Sequence, residues 1–63
     1  MNTLYLGNIY FQLDQSNGYW ITTNTAHDIT SQVVSMKLRD MRASYPNNRV
    51  RAISENGTLL DII

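Results

Sequence analysis

The sequence predicts a small α+β domain of order β-β-α-β-β, in which one helix packs on one face of a four-stranded antiparallel sheet. Two segments rich in Tyr, Ile, Phe and Thr flank a turn cluster near the start of the chain. A helical spacing of apolar residues fills the middle, and a hairpin pattern ends the sequence. We expect one domain over residues 1–63, because the chain is short and its 43% hydrophobic content argues against disorder.

The first predicted strand covers residues 3–13, and its alternation slips at Gly7-Asn8. A bulge at Gly7 would return two groups of apolar residues to one face. The groups are Leu4 with Leu6, and Ile9 with Phe11 and Leu13. A tight turn at Gly7-Asn8 is the alternative, and it would leave two very short strands.

A turn cluster at residues 14–18 leads into a second strand over residues 19–23. With these five residues as the loop, Leu13 lies opposite Tyr19 and Phe11 opposite Ile21. The predicted core face contains Ile9, Phe11, Leu13, Tyr19 and Ile21. The opposite face contains Tyr10, Gln12, Trp20 and Thr22, with Tyr10 and Trp20 directly or diagonally across from each other.

A helix is predicted from the Thr25-Ala-His-Asp28 segment, which resembles a capping box, to Tyr45 before Pro46. Asp28 is a rival N-cap. The core face has the spacing i, i+4, i+7, i+11 and contains Val34, Leu38, Met41 and Tyr45. A second apolar stripe contains Ile29, Val33 and Met36. Either Ile29 precedes the helix and Val33 flanks the core, or this stripe packs on another chain as a dimer interface.

In the last hairpin, Glu55-Asn56-Gly57 predicts a three-residue loop with Gly57 in the left-handed conformation. This loop pairs Arg51 with Asp61 on the open face. The core wall then contains Val50, Ala52, Leu60 and Ile62. A two-residue Asn-Gly turn would instead place Asp61 on the core face, where an unpaired carboxylate is unfavourable. We therefore expect the three-residue loop.

The predicted open face contains Tyr10, Trp20, Ile53 and Leu59 around Arg51. Contiguous apolar patches mark interaction sites, and Trp, Tyr and Arg dominate binding hot spots. We expect a protein partner bound through this face. We also expect a homodimer, formed through the second helix stripe or by pairing of residues 59–63 as an edge strand. The alternative is stacking of single-stranded nucleic acid on the aromatic residues, which the net charge of zero disfavours.

Catalytic and metal-binding patterns are not recognisable in the sequence. There is no Cys, His27 is the sole imidazole, and the carboxylates are dispersed. We expect no enzyme activity, no cofactor and no metal. No apolar run approaches the ~20 residues of a transmembrane helix, and the first residues lack a signal-peptide pattern, so we expect a cytoplasmic protein that does not bind membranes.

In its size and β-β-α-β-β outline the chain resembles small accessory proteins encoded by bacteriophages and other mobile elements. Many such proteins inhibit a host protein by binding it. The resemblance implies an inhibitor of a host factor that acts by steric occlusion.

Overall fold

The structure is a computed structural model, and it describes residues 3–63. The predicted α+β fold is confirmed, with one helix and a four-stranded antiparallel sheet of order β2-β1-β3-β4. The elements are β1 (Leu4–Asp14), β2 (Trp20–Thr30), α1 (Ser31–Ser44), β3 (Val50–Ser54) and β4 (Leu59–Ile62). β1 and β3 are therefore central, and β2 and β4 are the edges.

The core lies between α1 and the two central strands. Val34, Leu38 and Met41 of the helix are buried there, as their spacing predicts. The remaining buried residues come from β1 and β3: Ile9, Phe11, Leu13, Val50 and Ala52. Tyr45, the fourth residue of the predicted stripe, is exposed because the helix ends at Ser44 and Tyr45 is its C-cap. The predicted stop before Pro46 is confirmed.

The predicted bulge at Gly7 is present, but its consequence differs from the expectation. The register between β1 and β2 shifts between Tyr5 and Asn8, and Gly7 has a φ of 85°, which Gly adopts without a steric penalty. The shift turns Tyr5 toward the core. Leu4 and Leu6 are 56% and 73% exposed, so the expected return of these two residues to the core face is wrong.

The predicted helix start is also wrong. Residues 24–30 continue β2, because they pair along β1 as far as Leu4↔Thr30. Thr30 is the N-cap, and its hydroxyl accepts a hydrogen bond from the Val33 N–H at 3.3 Å. The β-branched residues Thr25, Ile29 and Thr30 suit a strand, and six residues of β1 pair with this segment. Pairing along β1 outweighs the capping-box pattern.

In the hairpin of β1 and β2, each side chain lies on the predicted face of the sheet, but the pairing register differs from the prediction. Leu13 pairs with Ile21 and Asp14 with Trp20, so the loop is residues 15–19. A shift by two positions preserves the alternation of side chains, which is why the faces are unchanged. Tyr19 falls in this loop and is 66% exposed, so its expected place in the core is wrong. Ile21 lies on the helix side of the sheet, as predicted, but it is exposed because β2 is an edge strand.

The second hairpin has the predicted three-residue loop. The Gly57 N–H donates to the Ser54 carbonyl, the Ser54 N–H donates to the Thr58 carbonyl, and Gly57 has a φ of 87°. Beyond Ile53↔Leu59 the register shifts, so that Leu60 is an extra residue and Asp61 lies opposite Ala52. The expected Arg51–Asp61 pair and the inward position of Ile62 are therefore wrong.

The shift places Asp61 on the helix side of β4. Its carboxylate accepts hydrogen bonds from the Ser35 hydroxyl at 3.5 Å and from the Ile62 N–H at 2.9 Å. A carboxylate is tolerated there because β4 is an edge strand and Asp61 is only half-buried.

Candidate functional site: the open face of the sheet

The open face is the side of the sheet that α1 leaves uncovered. The registers define two rows that each cross all four strands, in the order β2, β1, β3, β4. The polar row contains Thr22, Gln12, Arg51 and Ile62. The apolar row contains Thr25, Tyr10, Ile53 and Leu59. Trp20, which lies opposite Asp14, flanks the polar row.

A chain of polar contacts connects three strands along the polar row. The Arg51 Nε donates to the Gln12 Oε1 at 2.8 Å, and the Gln12 Nε2 donates to the Thr22 Oγ1 at 3.2 Å. The Arg51 guanidinium lies over the Trp20 ring, 4.2 Å from its centroid. This is cation–π distance, and it holds both side chains in one arrangement before any partner arrives.

The apolar row lies beside this network. Tyr10 pairs with Ile53 in the central strands, and Ile53 pairs with Leu59 at the edge. Leu59 is 53% exposed, whereas Tyr10 and Ile53 are half-buried by their neighbours. Ile62 adds a further aliphatic residue to the same face, which sequence reasoning missed because it did not foresee the bulge at Leu60.

All five predicted partner-binding residues therefore lie on the open face, but not in the expected arrangement. Tyr10 pairs with Thr25, while Trp20 lies opposite Asp14, four positions along β1. Since a strand rises ~3.4 Å per residue, the two aromatic residues are ~13 Å apart along the strand. The expected direct or diagonal Tyr10–Trp20 contact is wrong. Arg51 contacts Trp20 instead.

The three residues of the expected helix stripe do not share one surface. Ile29 lies in β2 and packs against the core. Val33 is half-buried on α1, and Met36 is exposed. The stripe depends on a helix that begins before residue 29, and α1 begins at Ser31. Ile29, Val33 and Met36 therefore do not form one stripe on α1 that could pack on another chain.

Most basic side chains lie away from the open face. Lys37, Arg39 and Arg42 belong to α1, which packs on the opposite side of the sheet. Arg49 precedes β3, and its carbonyl accepts a hydrogen bond from the Asp14 N–H. Within residues 3–63, Arg51 is thus the one basic side chain placed in the two rows.

A groove of about 430 Å³ lies between α1 and β2, on the helix side of the sheet. Phe11 and Met41 form its apolar part, and Asn24, Lys37, Asp40 and Ser44 are among its polar lining residues. The groove exists because α1 packs over the central strands and leaves the helix side of β2 partly uncovered.

His27, which we expected at a helix start, lies in β2 opposite Asn8. Its Nδ1 is 3.1 Å from the Asn8 Oδ1, and its Nε2 is 3.3 Å from the Asp28 Oδ2. The imidazole is 66% exposed, so solvent screens this pair. In the described part of the chain no group of three or more His, Cys, Asp or Glu side chains could hold a metal ion. Over the same residues, no helix is long and apolar enough to cross a membrane.

Comparison with protein-family models, with curated proteins and with solved structures found no match to this chain.

Proposed function

We propose that this protein is a non-enzymatic protein-binding module that uses the open face of its sheet. The observation that carries the proposal is that Tyr10, Ile53 and Leu59 of the apolar row lie side by side, next to the Arg51–Trp20 pair. No element of residues 3–63 covers this face. Aromatic and Arg side chains surrounded by aliphatic residues are the usual composition of a binding hot spot.

The distribution of charge supports a protein partner over nucleic acid. A surface that binds single-stranded nucleic acid combines aromatic residues with several basic groups along the backbone path. Here Arg51 is already engaged by Gln12 and Trp20, and the helix basic residues lie on the other side of the sheet. The net charge of zero gives no general attraction to phosphate groups.

The preformed geometry supports binding by rigid docking. The four strands are joined in one ladder, and Arg51 and Trp20 already hold each other in place. Little side-chain entropy is then lost on association. A partner docked on this face would have the contacted region of its own surface covered. We therefore propose steric occlusion of a host protein as the inhibitory mechanism, in keeping with the resemblance to phage-encoded accessory proteins.

The test is affinity capture from the native host with quantitative mass spectrometry, using matched charge substitutions. Leu59→Asp places a carboxylate on the apolar row, and Met36→Asp places the same group on the exposed surface of α1. A partner that binds the open face is captured by wild type and by Met36→Asp but is lost with Leu59→Asp. Circular dichroism confirms that both variants are folded.

Equal capture by both variants would contradict the proposal. So would tight, steeply salt-dependent binding of single-stranded RNA or DNA by the purified protein, because that result indicates neutralisation of phosphates. The same titration with Trp20→Ala locates such binding on the open face if the affinity falls.

A further inference from the structure

We propose that the free edge of β2 pairs with β2 of a second copy of this chain, in an antiparallel arrangement with the two-fold axis at Ala26. The result is a continuous eight-stranded sheet. This inference is independent of the proposed use of the open face, because strand addition at an edge leaves both open faces uncovered.

The direction of the backbone groups follows from three hydrogen bonds of β1. The N–H groups of Asp14 and Asn8 point toward β3, where they reach the Arg49 carbonyl at 3.0 Å and the Glu55 Oε2 at 3.4 Å. The Gln15 N–H points the other way, to the Tyr19 carbonyl at 2.8 Å. Even-numbered residues of β1 therefore direct their backbone groups away from β2, since the two sides alternate along a strand.

The β2 residues that pair with these even-numbered residues direct their own backbone N–H and C=O groups away from β1, toward the free edge of β2. Thr25 pairs with Tyr10 and His27 pairs with Asn8. Both are non-hydrogen-bonded pairs of the β1–β2 ladder, so the N–H and C=O groups of Thr25 and His27 point toward the free edge of β2. Ala26 lies between them and points its backbone groups at β1.

With the two-fold axis at Ala26, the outward N–H and C=O groups of Thr25 and His27 all form hydrogen bonds with the second copy. Thr25 then lies opposite His27 of the second copy, and His27 lies opposite its Thr25. Each of these pairs exchanges two backbone hydrogen bonds, which gives four in total. Ala26 then lies opposite Ala26 of the second copy, on the helix side of the sheet. Both side chains are single methyl groups, which fit side by side.

The two edges of the sheet differ in how they are protected. β4 has four residues, a bulge in its middle and the carboxylate of Asp61, which are features that discourage edge pairing. β2 has eleven residues, and its regular stretch of residues 24–27 contains no Pro, Lys, Arg, Asp or Glu. The edge available for pairing is thus β2, whereas the sequence analysis considered only residues 59–63 as an edge strand.

A second copy is the occupant that this edge fits. The outward N–H and C=O groups of Thr25 and His27 lie on either side of Ala26, so this stretch of the strand is complementary to a second copy of itself. The net charge of zero means that two copies approach without general repulsion. A chain of 63 residues also buries only ~60% of its unfolded surface, so added pairing stabilises it.

The experiment is light scattering after size-exclusion chromatography, over a concentration series to the high micromolar range. Wild type is expected to rise from 7.2 kDa toward twice that mass. Thr25→Pro removes an N–H that the single chain does not use, and Pro is tolerated on a free strand edge. Two of the four hydrogen bonds are lost, so dimerisation should weaken roughly thirtyfold or more. Thr25→Ala, which keeps the N–H, should dimerise as wild type does.

A charge exchange tests the register and does not depend on the folding of the Pro variant. The double substitution Thr25→Lys and His27→Lys places like charges opposite each other in the dimer and should abolish it. The double substitution Thr25→Glu and His27→Lys places opposite charges there and should restore it. A wild type that stays monomeric at high micromolar concentration, or a dimer that persists with both lysines, overturns the proposal.

Discussion

The guanidinium of Arg51 lies 4.2 Å from the centroid of the Trp20 ring, although the two residues belong to strands that are separated by β1. Gln12 of β1 holds the guanidinium at its Nε, which orients the long side chain across the intervening strand. The pair therefore couples the β2 edge to the centre of the sheet.

Replacement of Arg51 by Ala should lower the free energy of unfolding by about 1–2 kcal/mol, because it removes the cation–π contact and the hydrogen bond to Gln12. Urea unfolding followed by Trp20 fluorescence measures the change. Arg49→Ala is the control, since its side chain is exposed, and it should change stability by less than about 0.5 kcal/mol. Equal effects of the two substitutions would contradict a specific role of Arg51.

Replacement of Thr30 by Ala should cost about 1 kcal/mol, because the Val33 N–H at the start of α1 loses its acceptor. Thr25→Ala removes the hydroxyl that the sequence pattern suggested as a cap. It should be nearly neutral in the monomer, since Thr25 is an exposed strand residue. Thermal unfolding at low protein concentration measures both. A larger loss of stability with Thr25→Ala than with Thr30→Ala would contradict the assignment of Thr30 as the N-cap.

Replacement of Gly7 by Ala should cost about 1–2 kcal/mol, because a residue with a Cβ is strained at a φ of 85°. The added methyl also overlaps the Glu55 carboxylate, which must move and give up its contact with the Asn8 N–H. Gly18→Ala has a similar φ of 81° but open space around it. It therefore isolates the backbone contribution.

The difference between these two Gly variants should disappear when Glu55→Ala is combined with each of them. Denaturant unfolding of the single and double variants gives the comparison. A difference that survives in the Glu55→Ala background would mean that the bulge has another constraint.

Replacement of Leu38 by Ala should cost about 2–5 kcal/mol, because it opens a cavity under the centre of α1. A domain of this length has only about 3–9 kcal/mol of stability in total, so this variant should be largely unfolded near physiological temperature. Met36→Ala on the exposed surface of the same helix should change stability by less than about 0.5 kcal/mol. Circular dichroism melting curves separate the two outcomes.

Much of the candidate site could be predicted from alternation alone. Tyr10, Trp20, Arg51, Ile53 and Leu59 all lie on the expected face, because a shift by an even number of residues leaves each side chain on its side of the sheet. Their neighbours could not be predicted. The extra residue at Leu60 exchanged Asp61 for Ile62 on the open face, and it left Arg51 to contact Trp20 instead of a carboxylate.

Local sequence signals were sufficient to predict the order of elements, the loop at Gly57, the bulge at Gly7, the end of α1 before Pro46 and the helix residues of the core. These features depend on turn chemistry, Pro geometry and periodicity, which act over a few neighbouring residues. The end of β2, the identity of the edge strands and the contacts across the sheet depend on the packing of distant segments and could not be predicted from local signals. Six residues of β1 pair with residues 24–30 and hold this segment in a strand instead of a helix. Such pairing between distant segments is a property of the assembled sheet and not of any local stretch of sequence.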